Sequence, residues 1–383
     1  MRERYLSLSP HNLVRVILGE RHPGDNETDN VYTRAANHFN AWIASGVLAR
    51  EDSPSLYAYF QEFTVPDTGE RLTRKGFIGL GAVDDYDARV VHRHEQTLSG
   101  PKKDRLEVLN KTRAHFGQIF MLYPDPEQAV DRILDEVSRT APDVEVTDEY
   151  NAVHRVWRIS DPARLAEIQR LMSDKKLLIA DGHHRYETAL NFRNANPGLD
   201  DAKKVMMTFV NMYSDGLKIL ATHRVLKNLD NFDLDRFLQA AQQKFTITRF
   251  GTDDELRAAL DSVDPGRVRI GFAAKGSPKL FLLEAPREAG AIDVRILHDT
   301  ILGEMLGIDE EAVRDEKHIS YIRGVDPALE AVHSGNAEVA FLLQPTPIQQ
   351  VADVAFSGGV MPQKSTDFYP KLLSGLTIYR IER

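Results

Sequence analysis

Short apolar runs alternate with amphipathic stretches along most of the chain, and this pattern predicts a mixed α+β fold. Residues 56–65 and 76–83 are strand-like runs that flank a turn-rich segment, which is typical of a β-hairpin. Residues 161–174 instead repeat apolar positions at helical spacing, behind an Asp-Pro pair suited to a helix start. Several predicted antiparallel strand pairs, such as this hairpin, favour largely antiparallel sheets over a doubly wound sheet.

The same pattern predicts the remaining elements. Further predicted strands are residues 14–18, the start of 90–97, 118–123, 144–146, 152–159, 177–180, 204–212, 217–221 and 337–343. Further predicted helices are residues 31–45, 101–115, 127–138, 292–306 and 327–333.

At 383 residues the chain is longer than one hydrophobic core usually serves, so we expect more than one domain. Residues 231–290 run helix, strand, helix, strand, strand, and predict a smaller inserted α/β subdomain. The other predicted units are an N-terminal α+β domain (1–125), a central portion (126–230) and a C-terminal α+β part that completes the core (291–383).

Residues 177–190, LLIADGHHRYETAL, hold the densest group of functional side chains. An apolar strand is followed by an Asp-Gly turn, and helical spacing begins directly after it. Residues 183–185 would then lie in the first helical turn, where N–H groups and the helix dipole favour an anion. Arg185 can hold a phosphate through two hydrogen bonds, so the stretch predicts a phosphate site. In the alternative interpretation Asp181 is only the cap of an ordinary helix.

A second polar cluster, VVHRHEQT, occupies residues 90–97. His92 and His94 alternate on a predicted strand, so their side chains point the same way and are candidate metal ligands. A solvated strand end is the alternative. Glu95 is the candidate general base of this cluster.

Two weaker clusters lie further along the chain. Asn211, His223 and Arg224 follow apolar strands and are candidates for one pocket edge, or are ordinary polar strand ends. In residues 361–376 the Lys-Ser-Thr triplet at 364–366 resembles the end of a phosphate loop, but the glycine pattern of such a loop is absent.

Composition excludes several chemistries. The chain has no cysteine, so it has neither disulfides nor a thiolate nucleophile or metal ligand. A formal net charge of −9 argues against nucleic acid and membrane surfaces as partners. The first residues do not resemble an apolar signal segment, and we expect a cytoplasmic protein.

The chain resembles the bacterial and archaeal domain-of-unknown-function family 1015. The stretches that carry the resemblance are YAYFQEF, HEQT, DRLEVL, DGHHRYETAL, NMYSDGLKILATHR, VRILHDTILGEMLGI and MPQKSTDFYPKLLSGL. Family members usually begin with an additional segment that carries Pro-Pro-Tyr-Asp, whereas this chain starts later, at RERYLSLSPHNLVRV. If that segment supplies a catalytic residue or a strand, we expect this chain to lack it, unless the reading frame begins upstream of Met1.

The DGHHR motif at residues 181–185 is also similar to motifs of the ParB/sulfiredoxin-like superfamily, which bind nucleotide phosphates at a helix start. This resemblance implies a ParB/sulfiredoxin-like core, with residues 126–230 as its motif-bearing portion. Sulfiredoxin has a catalytic cysteine where His183 stands here, so its chemistry is absent. Free serine kinases of the superfamily match the motif residue for residue, and some relatives are thought to use pyrophosphate.

The resemblance therefore implies a small-molecule kinase that phosphorylates free L-serine from pyrophosphate, ADP or ATP, with Mg²⁺ and no permanently bound organic cofactor. The predicted catalytic residues are Glu95, Asp181, His183 and His184, with Glu187 as the reserve base and Asp181 as the Mg²⁺ ligand. The predicted phosphate contacts are Gly182, His184, Arg185, Arg224 and Lys364; the predicted substrate contacts are Tyr186, Glu187, Asn211, His223, Ser365 and Thr366.

Two other functions stay open at this point. One is a nucleotide-binding regulatory module of the ParB type that catalyses nothing. The other is a metal-dependent hydrolase built on His92, His94 and the histidines of the motif. The expected partners are a small phosphoanhydride and an amino acid, with a homodimer as the candidate assembly.

Overall fold

Two large β-sheets organise the chain. The structure, a computed structural model, describes residues 2–66, 68–95, 100–229, 232–262, 264–288 and 290–382, without the side chains of 100–102. Gln96 and Thr97 of the second polar cluster lie outside the described residues.

The strands are β1 (Leu56–Thr64), β2 (Arg71–Ala82), β3 (Val91–His92), β4 (Ala114–His115), β5 (Ile119–Tyr123), β6 (Val144–Thr147), β7 (Val153–Ile159), β8 (Leu177–Asp181), β9 (Lys204–Asn211), β10 (Lys218–Leu220), β11 (Thr222–Leu226), β12 (Thr246–Phe250), β13 (Arg267–Ala274), β14 (Leu280–Pro286), β15 (Ile319–Arg323), β16 (Val339–Leu342), β17 (Asp367–Tyr369) and β18 (Tyr379–Arg380).

The α-helices are α1 (Arg2–Leu8), α2 (Val14–Ile17), α3 (Val31–Ala44), α4 (Gly100–Thr112), α5 (Ala129–Val137), α6 (Pro162–Met172), α7 (His183–Ala195), α8 (Leu234–Ala241), α9 (Asp253–Asp261), α10 (Asp293–Ile296), α11 (Glu310–Arg314), α12 (Val325–His333) and α13 (Ile348–Phe356). Short 3₁₀ turns cover Tyr86–Ala88 and Asp200–Lys203, and a π-helix, Leu297–Met305, continues α10.

The first sheet has eight strands in the order β3-β8-β5-β9-β2-β1-β7-β6. The predicted hairpin is confirmed, since β1 and β2 pair antiparallel with Phe60 opposite Lys75. Only β3 with β8 and β5 with β9 run parallel. The sheet is mixed and largely antiparallel, as the sequence predicts.

The first four residues of β8, residues 177–180, are apolar, and both faces of this strand are buried. Leu178 and Ala180 belong to a core that also contains Phe272 and Phe341 of the second sheet. Leu177 and Ile179 face the other way, into the core beneath α5, α6 and α7. The strand β8 is therefore packed between the second sheet on one face and helices on the other.

The second sheet has six antiparallel strands in the order β12-β14-β13-β16-β11-β15. The predicted subdomain, 231–290, shows the expected order of helices and strands and supplies β12, β13 and β14. Its strand β13 pairs with β16, so hydrogen bonds join it to the part of the chain that follows it. Independent folding of the four predicted units stays a prediction.

Residues 361–376, here called the C-terminal segment, cross from the second sheet to the first. Its strand β17 pairs with β10. The fully buried Arg74 donates to the carbonyl of Tyr369 at 3.2 Å. Further along, Gln118 Nε2 donates to the Leu373 carbonyl at 3.3 Å. A stretch with little regular structure is thus fixed on the first sheet by buried side-chain donors.

Two local predictions need correction. Residues 14–18 were expected as a strand, but Val14–Ile17 form the helix α2. Asn12 Oδ1 accepts a hydrogen bond from the Val14 N–H at 3.0 Å, and Val16 packs in one core with Phe39 of α3. Packing and this local hydrogen bond outweigh the strand preference of valine. The helix expected over 292–306 is present, but most of it is a π-helix.

Among the described helices, none combines the length and the apolar character needed to cross a membrane.

Candidate functional site

The predicted strand, turn and helix of the DGHHR motif are confirmed. The strand β8 ends at Asp181, and Gly182 has φ = +99°, a left-handed conformation that glycine adopts without a steric penalty. The helix α7 begins at His183, and the Tyr186 N–H closes its first turn on the Gly182 carbonyl. The N–H groups at the start of α7 therefore lie directly beyond the end of β8.

Two cationic side chains lie beside the carboxylate of Asp181, and a third acts on it at longer range. Arg185 Nη2 lies 2.9 Å from Asp181 Oδ2, and Lys371 Nζ lies 3.8 Å from Oδ1. Arg105 of α4 is near enough that the charges of Asp181 and Arg185 both act on its pKa. Burial alone would raise the pKa of the Asp181 carboxyl, but Arg185 and Lys371 outweigh it and lower that pKa. Lys371 also lies 3.3 Å from Asp367, so three cations face two carboxylates and an excess of positive charge is left.

A ligand can reach this cluster from solvent. The side chains of Asp181, Arg185 and Lys371 are 39%, 31% and 53% exposed. The guanidinium of Arg185 folds back over Gly182, where an added Cβ would lie 3.0 Å from its Nε. That Nε is buried and, among the described residues, has no hydrogen-bond partner. The cluster thus offers an anion positive charge that is accessible from solvent.

His94 and His183 lie side by side behind the cluster, with ring centroids 4.8 Å apart. His94 Nδ1 is 2.8 Å from the Ile179 carbonyl, and its Nε2 is 2.8 Å from Thr366 Oγ1. Burial lowers the pKa of His94 to about 4 and that of His183 well below its usual value. Within the described part of the chain, His183 Nε2 is buried without a hydrogen-bond partner. Both rings are therefore neutral at physiological pH.

Glu95 belongs to the same site. It pairs with Met361 in an isolated parallel bridge, which brings the C-terminal segment against the end of β3. Burial raises the pKa of the Glu95 carboxyl, while the charge and backbone N–H of Lys364 lower it and the charge of Asp181 raises it. A glutamate with a raised pKa is suited to accept a proton near neutral pH.

Arg224 is buried and bonds backbone carbonyls, so it is not placed to make the predicted phosphate contact. Its Nη2 donates to the carbonyls of Gln363 and Lys364 at 3.1 and 3.0 Å, and its Nε is 3.4 Å from His298 Nε2. Only 1% of Arg224 is exposed, so a ligand cannot reach it. Arg224 therefore holds the loop that carries Lys364, whose own side chain is exposed.

Several predicted substrate contacts lie outside the cluster. Asn211 is fully buried, and its side chain donates to the Asp125 carbonyl and to Asp131 Oδ2, each at 2.7 Å. In the register of the first sheet, Asn211 lies three residues further along than the position level with Asp181. His223 accepts from the Leu343 N–H at 3.2 Å. It alternates with Arg224 on β11, so the two side chains occupy opposite faces of the second sheet.

Two residues of α7 and one of the C-terminal segment serve the fold. The Tyr186 hydroxyl donates to the Asp84 carbonyl at 2.7 Å, and Tyr186 is fully buried. Glu187, the reserve base, lies 3.7 Å from Arg93 on the buried flank of the helix. The Ser365 hydroxyl donates back to the Pro362 carbonyl. For these three side chains, buried protein contacts replace the predicted substrate contact.

The predicted pair of metal-binding histidines is wrong. Both ring nitrogens of His92 face backbone carbonyls, those of Ala355 and Arg89, at 3.1 and 3.0 Å. Both nitrogens of His94 are likewise used. Over the described residues, no group of three or more potential metal ligands occurs. These contacts therefore do not support a metal-dependent hydrolase that uses His92 and His94 as metal ligands.

Arg105 is the cation that sequence reasoning missed. It lies on α4, far from the motif in sequence, within the DRLEVL stretch that supports the family resemblance. The helix α4 carries several charged residues, and nothing in its pattern distinguishes the one whose charge acts on Asp181. Lys371 lies in the C-terminal segment, where it is available to a phosphate as a point charge.

The chain belongs to the family described as "Protein of unknown function (DUF1015)", whose model matches residues 1–300. No curated protein matches the sequence.

Three solved structures are similar at a distance. A conserved hypothetical protein from Pyrococcus furiosus is 13% identical with TM-score 0.38, and the match covers 76% of this chain and 90% of that one. A free serine kinase in complex with AMP is 14% identical with TM-score 0.40, covering 84% and 91%. SbnI with C-terminal truncation from Staphylococcus aureus is 12% identical with TM-score 0.36, covering 77% and 85%. At this distance they carry no argument about what the chain does.

Proposed function

We propose that this protein is a small-molecule kinase that transfers a phosphoryl group from pyrophosphate, ADP or ATP to the hydroxyl of free L-serine. The observation that carries the proposal is the cluster of Arg105, Arg185 and Lys371 around Asp181 at the start of α7. Phosphoryl transfer depends mainly on positioning and on neutralising charge, and this cluster supplies both at a helix N-terminus.

Arg185 is the central phosphate contact of the proposal. Its guanidinium is planar and partly exposed, so its exposed N–H groups can give two hydrogen bonds to one phosphate. Lys371 and Arg105 add charge from the C-terminal segment and from α4. Asp181 stays ionised and keeps Arg185 aligned. The DGHHR resemblance to free serine kinases agrees with this assignment.

Glu95 is the proposed general base. Its carboxylate takes the proton from the serine hydroxyl as the oxygen attacks the terminal phosphorus. The new O–P bond forms while the bond from phosphorus to the bridging oxygen breaks. The leaving group is orthophosphate from pyrophosphate, AMP from ADP, or ADP from ATP. The raised pKa of Glu95 supports this role.

Asp181 is the side chain that we propose as a ligand for Mg²⁺. Asp181 is an ionised and partly exposed carboxylate, and Mg²⁺ is commonly held by one or two carboxylates together with substrate phosphates. Asp181 would hold the ion, which would supply charge neutralisation on the phosphoanhydride.

The test is phosphorus NMR of the purified protein with L-serine, Mg²⁺ and each of the three donors in turn. We expect phosphoserine from at least one donor. Arg185→Gln should lower the rate about 100-fold or more, because it removes charge from the transferring phosphate. Arg170→Gln is the matched control, since among the described residues Arg170 forms its ion pair with Glu167 alone, on the exposed face of α6.

Absence of phosphoserine with every donor would refute the kinase. If calorimetry then showed tight nucleotide binding without product, the regulatory nucleotide-binding module would be favoured instead. Equal activity of Arg185→Gln and the wild type would refute the assignment of the phosphate site.

A further inference from the structure

The hydroxyl of Thr366 is tied to a buried histidine beside the cluster. Thr366 Oγ1 lies 2.8 Å from His94 Nε2, and His94 Nδ1 lies 2.8 Å from the Ile179 carbonyl oxygen. A carbonyl oxygen only accepts hydrogen bonds, so Nδ1 carries the hydrogen and donates it to Ile179. In a neutral imidazole the other nitrogen is then an acceptor. The Thr366 hydroxyl therefore donates to Nε2.

This direction is fixed over the physiological pH range. His94 is fully buried, and burial lowers its pKa to about 4, so the ring stays neutral. The Ile179 carbonyl belongs to β8, which is packed on both faces, so the acceptor that orients the ring is held firmly. Thr366 Oγ1 therefore stays the donor of this hydrogen bond, and His94 Nε2 stays its acceptor.

As a consequence the oxygen of Thr366 offers only lone pairs to a ligand. A threonine hydroxyl has one hydrogen, and His94 takes it. Thr366 itself is partly exposed, unlike the buried Ser365 before it. The next residue, Asp367, lies 3.3 Å from Lys371, which in turn reaches Asp181. Thr366 thus presents an obligate acceptor at the edge of the cationic cluster.

We propose that Thr366 Oγ1 accepts a hydrogen bond from the protonated amine of the phosphoryl acceptor, and so selects substrates that carry an ammonium group next to the reacting hydroxyl. The inference rests on the proposed function. The C-terminal segment that carries Thr366 also pairs with Glu95, the proposed base, through the Glu95–Met361 bridge. The cations of the cluster repel an ammonium group, and an uncharged acceptor outside them suits it better.

The test compares L-serine with 3-hydroxypropanoate, which has the same hydroxyl and carboxylate but no amine. In Thr366→Val, kcat/KM for L-serine should fall about 10- to 100-fold, the usual range for one hydrogen bond to a charged group. The kcat/KM for 3-hydroxypropanoate should stay unchanged. Thr366→Ser keeps the acceptor and should keep the preference for L-serine.

The matched control is Thr346→Val. Thr346 Oγ1 also donates one hydrogen bond to the C-terminal segment, to the Ser365 carbonyl at 2.9 Å, but it is buried away from ligands. Its loss should act on both substrates equally. An equal fall for both substrates in Thr366→Val would overturn the amine contact and leave a merely structural role.

Calorimetry with L-serine and pyrophosphate separates this inference from the kinase itself. Weaker L-serine binding in Thr366→Val, in a protein that makes no phosphoserine, would refute the kinase and support the amine contact. A wild-type protein that binds L-serine no better than 3-hydroxypropanoate would overturn the amine contact, whatever its activity.

Discussion

Glu95 illustrates how a side chain acquires its chemistry from its surroundings. Burial raises the pKa of its carboxyl, and the charged groups that act on it come from three parts of the chain. Lys364 and Lys371 of the C-terminal segment lower the pKa, and Asp181 of β8 raises it. Arg224 and Tyr321 of the second sheet also interact with the Glu95 charge. None of these partners is a neighbour in sequence.

Glu95→Gln should reduce the phosphoryl-transfer rate about 100- to 10,000-fold, because the amide cannot take the hydroxyl proton. In the wild type the base must be ionised, so kcat/KM should rise with pH through a pKa above that of an ordinary glutamate. Lys364→Met removes a charge that lowers this pKa, so the acidic limb should move to higher pH. A pH–rate profile measures both effects.

The exposed Lys176 serves as the control for that profile, and Lys176→Met should leave the acidic limb in place. A limb that did not move in Lys364→Met would show that another group is the base.

At the scale of elements, the join of β8 and α7 positions the Asp181–Arg185 pair of the proposed phosphate site. Asp181 lies at the end of the strand, and the positive φ of Gly182 turns the chain so that Arg185 folds back over the turn. The turn and the position of the Arg185 guanidinium both depend on the absence of a Cβ at residue 182.

Gly182→Ala should destabilise the protein by roughly 1–2 kcal/mol through the left-handed backbone alone. The new Cβ would also lie 3.0 Å from Arg185 Nε, so the guanidinium has to move and pyrophosphate binding should weaken. Gly46→Ala is the control, because Gly46 has φ = +75° with nothing near its Cβ position. Urea unfolding and calorimetry should show a stability loss in both variants and weaker binding only in Gly182→Ala. Unchanged pyrophosphate binding in Gly182→Ala would argue against this site.

At the scale of the whole molecule, buried neutral histidines make the fold sensitive to acid. Burial lowers the pKa of His94, His115 and His223 to about 4 and that of His298 to about 3. In the unfolded chain a histidine titrates near 6.5, so the unfolded state takes up protons first as the pH falls. Each group therefore contributes stability that is present above pH 6.5 and is lost as the pH falls to about 4, or to about 3 for His298.

His223→Gln should remove one such group. The free energy of unfolding should then depend less steeply on pH in that window, by up to about 1.4 kcal/mol per pH unit. The urea midpoint measured from pH 7 to 4 checks this, with the exposed His22→Gln as a control that leaves the slope unchanged. An unaltered slope in His223→Gln would contradict the assignment of a buried neutral ring.

The arrangement of the motif was predictable because it is local. Leu177 to Leu190 contain the apolar run, the glycine and the helical spacing that make a strand, a turn and a helix, and no distant residue is needed to specify them. The same holds for Arg185 and Asp181, which lie four residues apart across the turn and pair directly. The pair His92 and His94 shows the limit, since strand alternation cannot reveal that backbone carbonyls and Thr366 take their nitrogens.

By itself the sequence determined the class of fold, the strand–turn–helix that carries Arg185, and the family. Only the tertiary structure decided which other cations lie near Arg185. Lys371 lies 3.8 Å from Asp181, and the charge of Arg105 interacts with Asp181 and Arg185 because α4 packs against α7, whereas burial leaves Arg224 bonded to backbone carbonyls. The physical reason is that hydrophobic periodicity reports which face of an element is buried, while charge clusters arise from contacts between elements far apart in the chain.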